Sequence, residues 1–317
     1  MTDLARERDA ALAKLSNERT GIAVSADEVL EVDRLLRDRW RIDLVQTNHG
    51  LEEYLRSVPL SAAVALGLKA FDSKATAQRK MSGERFMYEA MADPELCGLV
   101  TSSRRHVLID TICLACALFR ALRMSGPILD VGCHIGIAPS IISRVFGIPT
   151  TGIDPVRSAI ETGISLLKDH PHVQLIHAAV PWVTNSRFDM VTAIDSLPDE
   201  APAQASFLKG LGALLNDGGV AIITSQHWPF VDVPTLRRQL GLAGLGFGLG
   251  DIAGGFGGMP TEFGVESVVC LIKGGKQQFP RDIKRVGSTD WDVFRDYANA
   301  ADTPAREKTQ AFMRARR

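Results

Sequence analysis

The sequence predicts an α/β fold in which a mostly parallel sheet lies between helices, preceded by an N-terminal helical region. From Pro127 onward, segments rich in Val, Ile and Thr alternate with helical stretches. Those segments are apolar on both faces, as expected for strands of a parallel sheet that is covered on each side. Before this point, apolar residues recur every three or four positions, which is typical of amphipathic helices.

The N-terminal region, residues 1–124, is predicted to form a helical cap beside the sheet domain. Ser25-Ala26-Asp27-Glu28 has the pattern of a capping box and precedes apolar positions from Val29 to Trp40, which predicts a helix with one buried face. Further helices are predicted from about residue 50 to a break near Pro59, and over residues 61–71, 84–91 and 104–124. We expect such a cap either to close a pocket over a small molecule or to build a homodimer contact.

Composition and charge argue against several classes of partner. The chain has 317 residues, 45% of them hydrophobic and 23% charged, and its net charge is -1, so it has no global attraction for nucleic acid or for an anionic membrane. No stretch approaches the roughly 18 uncharged apolar residues that a membrane span needs, and residues 1–7 are charged with mixed sign, unlike a signal peptide. The sequence therefore predicts a soluble cytoplasmic protein with neither a nucleic-acid nor a membrane partner.

The five cysteines are an odd number spread through apolar segments, which predicts reduced thiols. Cys113 and Cys116 form a C-x-x-C pair, but the segment around them is almost wholly apolar. No second Cys or His pair is spaced to complete a zinc site. Buried helical packing is therefore the predicted role of this pair.

Five strands are predicted after the cap, over residues 127–133, 150–154, 173–180, 189–195 and 219–225. A helix over 234–242, a glycine-rich run over 241–259 and a closing strand over 265–273 complete a domain predicted to span residues 125–275. The glycine-rich run suits either a mobile apolar flap over the acceptor pocket or an irregular sixth strand with tight turns. Residues 276–317 are predicted to be a polar C-terminal tail.

The segment from Ile128 to Ile137 is predicted to be a strand, a glycine-containing turn and the approach to a helix that begins around residue 139. Gly132 and Gly136 allow the backbone to approach a ligand closely, and ligands of open α/β sheets bind at this end of the strands. Asp154 ends the next strand, where a carboxylate can accept both hydroxyls of an adenosine ribose. The spacing Gly132-x-x-x-Gly136 does not match the G-x-G-x-x-G fingerprint of dinucleotide-binding folds.

Four motifs resemble those of class I S-adenosylmethionine-dependent methyltransferases, in the family's order and with similar spacing. Leu129-Asp130-Val131-Gly132-Cys133-x-x-Gly136 resembles the glycine motif, and Gly152-Ile153-Asp154-Pro155 resembles the ribose-binding strand end. Phe188-Asp189-Met190-Val191 is similar to the start of the fourth strand, and Leu214-Leu215-Asn216-Asp217-Gly218-Gly219 to the turn into the fifth. The resemblance covers about residues 126–275 and leaves the helical cap outside.

This resemblance implies a Rossmann-like sheet of seven strands whose final strand is inserted antiparallel, with S-adenosylmethionine as cofactor and S-adenosylhomocysteine as product. It implies that Asp130 orders the loop or contacts the methionine ammonium group. The backbone near Gly132 and Gly136 would hold the methionine portion, and Asp154 the ribose. Further residues of these strand ends are expected to line the cofactor: Cys133, His134, Pro155, Ala179, Val180, Asp195 and Ser196.

Two positions depart from the family's pattern. His134 stands where the family usually has a central glycine, so its side chain points toward the methionine end of the cofactor, forces the loop to adjust, or is directed at solvent or the sheet. Ala178 and Ala179 stand where many relatives carry an acid that binds the adenine amino group, so backbone groups must recognise adenine here. Val180 and Trp182 are candidates for apolar contact with adenine, and Trp182 is equally a candidate for the core.

Candidates for the acceptor site follow the fourth and fifth strands. Asp195 is expected either to orient the acceptor and take a proton or to cap the next turn, and His227 has a side chain suited to proton transfer near neutral pH. Tyr88 precedes the core where small-molecule methyltransferases often bring a helix over the cofactor. The fourth strand lacks the Asn/Asp-Pro-Pro-aromatic pattern of enzymes that methylate nucleic-acid bases. No Asp-Asn pair follows Asp195 as in relatives that bind magnesium, so no metal is expected.

The function predicted from the sequence is methyl transfer to oxygen, nitrogen or carbon of a small metabolite, with specialised metabolism as its context. Two alternatives stay open. One keeps the cofactor but transfers or cyclises its aminocarboxypropyl arm, releasing methylthioadenosine, and is favoured only by His134 beside the methionine end. The other is a methyltransferase-like binding module without catalysis, which the presence of Asp130, Gly132, Gly136 and Asp154 disfavours.

Overall fold

The structure of the protein is a computed structural model that describes residues 24–42, 88, 91–101, 105–198, 201–225, 233–247 and 267–275. The strands are Ile128–Val131 (β1), Thr150–Asp154 (β2), Val173–His177 (β3), Phe188–Ile194 (β4), Leu215–Ser225 (β5), Leu245–Phe247 (β6) and Ser267–Lys273 (β7). The helices are Ala26–Asp38 (α1), Pro94–Thr101 (α2), Arg105–Ala121 (α3), Ile137–Phe146 (α4), Arg157–Leu166 (α5), Ala201–Leu214 (α6) and Val233–Ala243 (α7). Within these ranges, no helix combines the length and the apolar content that crossing a membrane requires.

The strands form one seven-stranded sheet in the order β3-β2-β1-β4-β5-β7-β6. β1 pairs parallel with β2 and β4, and β4 pairs parallel with β5. β7 lies between β5 and β6 and is antiparallel to both. The predicted sheet, mostly parallel with its last strand inserted antiparallel, is confirmed. Because the first five strands run in the same direction, the residues that follow them lie along one edge, where ligands of such sheets bind.

The observed strand boundaries differ most from the predicted ones in β3 and β5. β3 ends at His177 instead of residue 180, and β5 begins at Leu215 instead of residue 219. The pairing of β4 with β5 shifts in register after Phe188, and Gly218 adopts a φ of 72°. The first part of β5 therefore contains a turn-like irregularity. The sequence predicted a turn at these residues and placed the start of the strand after it.

A sixth strand forms inside the glycine-rich run, and this was one of the two structures predicted for the segment. β6 spans only Leu245–Phe247 and follows Gly244, whose φ is 68°. The alternative, an apolar flap, falls mainly on residues 248–259, which lie outside the described residues. The helices predicted between residues 43 and 87 and the tail 276–317 also lie outside them.

Successive strand residues alternate between two core layers, one on each face of the sheet. Ile128 and Ile222 belong to a layer that includes α1, α3 and α4, whereas their neighbours Leu129 and Ile223 belong to a layer with α6 and α7. This alternation follows from the two-residue period of a strand. It explains why the strands are apolar on both faces.

The C-x-x-C pair lies in the first of these layers. Cys113 and Cys116 are both 0% exposed on α3, and all five cysteines are free thiols. Burial raises the pKa of the Cys116 thiol well above its usual value. The predicted packing role of the pair is confirmed.

Helix α1 begins at the predicted capping box. Glu28 N donates to Ser25 Oγ at 3.2 Å, and Ser25 N donates to Glu28 Oε2 at 2.9 Å. Arg120 on α3 forms an ion pair with Glu28 Oε1 at 2.9 Å. The apolar face of α1 packs on α3 and α4 through Val29, Val32, Leu35 and Leu36. The described part of the helical cap is thus built onto the same core as the sheet.

Replacing Ser25 with Ala should lower the free energy of unfolding by about 1 kcal/mol, because Glu28 N loses its capping acceptor. Urea-induced unfolding followed by circular dichroism would measure the change. The matched control is Ser165→Ala, an exposed position inside α5, where alanine is the better helix former. Equal losses in the two variants would contradict the capping role.

Candidate functional site

Two buried carboxylates lie at the carboxyl ends of β1 and β2. Asp130 in β1 is 3% exposed, and Asp154, the last residue of β2, is 5% exposed. The turn after β1 is held against β2, since Gly132 N and Cys133 N both donate to Ile153 O, at 2.8 and 3.1 Å. The strand pairing therefore places the predicted glycine turn between the two predicted acids.

The turn at Gly132 has no room for a side chain. Its φ is 76°, a conformation that favours glycine, and a Cβ built there would lie 2.8 Å from Ser196 Cβ and closer still to Ser196 Oγ. Ser196 Oγ is hydrogen-bonded to Val131 O at 2.8 Å and to Ile194 O at 3.0 Å. The residue that follows β4 by two positions thus packs directly on the glycine turn.

The turn is closely packed against β2 and against the residue that follows α5. Gly136, the N-cap of α4, has a φ of 84°, and a Cβ there would lie 2.8 Å from Leu167 Cδ1. The Cys133 side chain points at Gly152 of β2, where a Cβ would lie 2.7 Å from its Sγ. Burial, with the charges of the neighbouring acids, raises the pKa of the Cys133 thiol well above its usual value. Cys133 and Gly136 therefore hold the turn against β2 and Leu167.

His134 adopts a φ of 51° at the centre of the turn, a left-handed conformation that strains a non-glycine residue by about 1 kcal/mol. Its backbone N donates to Asp154 Oδ2 at 2.9 Å. Its ring contacts the helical cap, with Nε2 3.1 Å from Tyr88 O and Nδ1 3.6 Å from Cys97 Sγ. The sequence suggested other directions for this side chain, and contact with the cap was not among them.

Asp154 is hydrogen-bonded to the backbone on both carboxylate oxygens. Oδ2 accepts from His134 N, and Oδ1 accepts from Val156 N at 2.8 Å. A carboxylate can accept about four hydrogen bonds, so two donors leave capacity for a ligand. Pro155, the next residue, is exposed, and its carbonyl lies 3.0 Å from His177 Nε2.

Asp130 lies in a strongly desolvating environment. Burial raises the pKa of its carboxyl from 3.8 to about 7; the hydrogen bond from Thr192 Oγ1 to Oδ1, at 2.7 Å, opposes this rise, and the charge of Asp154 adds to it. A nearby positive charge would offset the desolvation of the ionised form. A cationic group held beside Asp130 would therefore favour the ionised form of its carboxyl.

The chain beyond β3 passes the same edge. Ala178 N donates to the backbone O of Asp154 at 3.1 Å, which brings the segment next to β2. Ala179 is exposed, whereas Val180 and Trp182 pack against the core layer of α6. Trp182 thus has a packing role, which was one of its two predicted roles.

On the acceptor side, the structure describes two of the three candidates. Asp195 follows β4 with a φ of 52° and donates from its backbone N to Thr224 O and Thr224 Oγ1, both at 3.1 Å. The Tyr88 side chain is 45% exposed, and its carbonyl meets the His134 ring. His227 lies outside the described residues. In the part of the chain that the structure describes, no group of three or more His, Cys, Asp or Glu residues is arranged to hold a metal ion.

Sequence reasoning missed two residues of this site. Thr192 hydrogen-bonds the Asp130 carboxyl from the neighbouring strand, and a polar residue inside the apolar β4 was its only signal. Cys97 contacts His134 from α2, and nothing in the local sequence connects the two positions.

A known protein family matches part of this chain. Residues 102–245 match a protein family described as a methyltransferase domain, whereas no curated protein sequence matches the chain. Among solved structures, magnesium protoporphyrin IX methyltransferase from Synechocystis PCC 6803 has 13% identity, with 68% of this chain and 99% of that chain covered and a TM-score of 0.44. An amino pentose methyltransferase from Micromonospora echinaspora has 14% identity, with 53% and 94% covered and a TM-score of 0.42.

The family match includes the structural features described above. It spans the glycine turn, both buried acids, β1 to β5 and the strand ends that meet at one edge of the sheet. Residues 102–245 of this chain are therefore similar to a methyltransferase domain, and both buried acids and the glycine turn lie inside the matched segment.

Proposed function

We propose that this chain is an enzyme that transfers the methyl group of S-adenosylmethionine to oxygen, nitrogen or carbon of a small-molecule metabolite. The observation that carries the proposal is the pair of buried carboxylates, Asp130 and Asp154, on either side of a glycine turn in a segment similar to a methyltransferase domain. A chain with a net charge of -1 has no electrostatic bias toward nucleic acid, which supports a small acceptor.

The described residues suit S-adenosylmethionine. The pKa of Asp130 is raised to about 7, chiefly by burial, and the ammonium group of a methionine moiety would offset that burial. Asp154 has acceptor capacity for two ribose hydroxyls beyond its two backbone donors. Ala179 and Pro155 are exposed, and the backbone of Ala179 would offer hydrogen bonds to adenine.

When bound, S-adenosylmethionine supplies a methyl group on a positively charged sulfonium. The leaving group is the neutral thioether of S-adenosylhomocysteine, so no acid has to protonate it. The work of the protein is therefore positioning and desolvation. In our proposal, Asp130 orients the ammonium end and Asp154 the ribose. Ser196 keeps the strand ends of β1 and β4 in register with the turn, through its bonds to Val131 O and Ile194 O.

The acceptor is proposed to lie near Asp195 and Tyr88, at the edge where β4 ends. Asp195 would orient the acceptor or take its proton, because an oxygen or nitrogen acceptor needs a base. His227, two residues beyond the last described residue of β5, is the second candidate for that base. Tyr88 would contribute from the cap, where its exposed side chain can meet a ligand.

Mass spectrometry of the nucleoside products tests the proposal. The purified full-length chain is incubated with S-adenosylmethionine, with and without a cellular metabolite extract. We expect S-adenosylhomocysteine to form only when extract is present, and Asp154→Ala to abolish its formation. The new mass in the extract, heavier by one methylene group, would identify the acceptor.

Two other outcomes would replace the proposal. Methylthioadenosine as the product would mean that the aminocarboxypropyl arm is transferred or cyclised. His134 was the feature that favoured that chemistry, and its ring contacts Tyr88 and Cys97 instead. Tight binding of S-adenosylhomocysteine without turnover on any extract would indicate a binding module.

A further inference from the structure

His134 occupies a backbone conformation that glycine would adopt without strain. A residue of this kind persists when its surroundings hold it there, and such positions cluster at ligand sites and switches. The sequence supplies a histidine, and the ring makes two contacts that a glycine could not make. These contacts with the helical cap account for a side chain at this position.

The contacts of His134 join two parts of the molecule. Its backbone N donates to Asp154 Oδ2, the carboxylate proposed to bind the ribose. Its ring reaches the cap at Tyr88 O and at Cys97 Sγ on α2. One residue thus touches both the proposed cofactor site and the segment that carries an acceptor-side candidate. Helix α2 is also packed closely against the chain that follows α1, because a Cβ on Gly98 would collide with Trp40 O.

We propose that His134 is a positioning residue that couples occupation of the cofactor site to the placement of the cap segment containing Tyr88 and α2. This inference rests on the proposed function. Ribose hydroxyls that donate to Asp154 share its carboxylate with His134 N, so the bound ligand fixes the backbone of the turn. A fixed turn holds the His134 ring in one orientation, and the ring holds Tyr88 O and Cys97.

The coupling has a consequence for the order of binding. The bound cofactor stabilises the contacts between the cap segment and His134 that the structure shows, so the acceptor should bind more tightly to the cofactor complex than to the free protein. By linkage, the cap contact must strengthen cofactor binding by the same factor by which the cofactor stabilises the cap contact. Weakening the contact should therefore change both quantities together.

Hydrogen exchange measured by mass spectrometry on the full-length chain tests the coupling, with S-adenosylhomocysteine as the probe. In the wild type, the ligand should slow exchange of the backbone amides in residues 94–101 by about fivefold or more. His134→Asn tolerates the left-handed conformation but is too short to reach both cap partners. In this variant we expect protection below about twofold and a Kd for S-adenosylhomocysteine weakened about fivefold.

Cys116→Ala is the matched control for the loss of a buried thiol, because Cys116 lies in the helical core layer on α3; it should keep the wild-type protection. If His134→Asn does not fold, His134→Gly replaces it, since glycine relieves the strain at this φ. Full protection of residues 94–101 in a ligand-bound His134 variant would overturn the coupling, as would a wild type that binds the ligand without protecting them. A wild type that does not bind S-adenosylhomocysteine would instead overturn the proposed function.

Discussion

Replacing Asp130 with Asn should weaken the binding of S-adenosylhomocysteine by about 100-fold, because removal of one partner from a buried charge pair costs several kcal/mol. The same change should raise the free energy of unfolding at pH 8 by about 3 kcal/mol, since a group whose pKa is raised on folding opposes folding once it is ionised. Asparagine keeps an acceptor for Thr192 Oγ1 but carries no charge. Loss of binding with a gain in stability would identify a carboxylate retained for its ligand.

The pH dependence follows from the raised pKa of Asp130, 3.8 when unperturbed and about 7 in the folded protein. Its contribution to stability is complete below pH 4, declines as the pH rises toward 7, and is lost above 7. The stability difference between Asp130→Asn and wild type should therefore grow over this range. Urea-induced unfolding at several pH values measures it, and titration calorimetry measures the affinity.

Ligand binding to the wild type should depend on pH in the opposite sense. Pairing with an ammonium group requires the ionised carboxyl, so binding near pH 6 should release a proton and weaken by about tenfold for each further unit of acidification. Asp217→Asn, an exposed position near the start of β5, serves as the control and should leave the affinity unchanged. An Asp130→Asn variant that binds as tightly as wild type would remove Asp130 from the site.

Gly132→Ala should lower the free energy of unfolding by about 3 kcal/mol and abolish cofactor binding. The new Cβ imposes a left-handed conformation on alanine and meets Ser196, and strain and overpacking of this kind each contribute about 1–3 kcal/mol. Urea-induced unfolding measures the stability, and calorimetry with S-adenosylhomocysteine measures the binding.

Gly126→Ala separates the two causes. Gly126 has the same φ as Gly132, 76°, but a Cβ there would meet nothing within 4 Å, so this variant should lose only about 1 kcal/mol. Adding Ser196→Gly to Gly132→Ala removes the side chain that the new Cβ meets. After subtraction of the effect of Ser196→Gly alone, the double variant should lose no more unfolding free energy than Gly126→Ala does. Equal losses in Gly126→Ala and Gly132→Ala would show that Ser196 does not restrict the turn.

Much of the fold could be predicted because its signals are local. The capping box at Ser25 and the apolar spacing after it predicted α1, and the glycine turn after Ile128–Val131 predicted the start of α4 to within two residues. β2 was predicted to the residue, since an apolar run ends there at Asp154. The boundaries of β3 and β5 were less accurate, because a strand ends where its partner ends, and that partner is distant in sequence.

The sequence by itself determined the strand-turn-helix unit and the two acids, Asp130 and Asp154, because each follows from residues a few positions apart. Only the tertiary structure decided what surrounds them: Thr192 beside Asp130, Ser196 on Gly132, and the His134 ring against Tyr88 and Cys97. The physical reason is that these contacts join residues 37 to 64 positions apart in sequence (134 − 97 and 196 − 132). Sheet pairing and helix packing create such neighbours, and no local pattern records them.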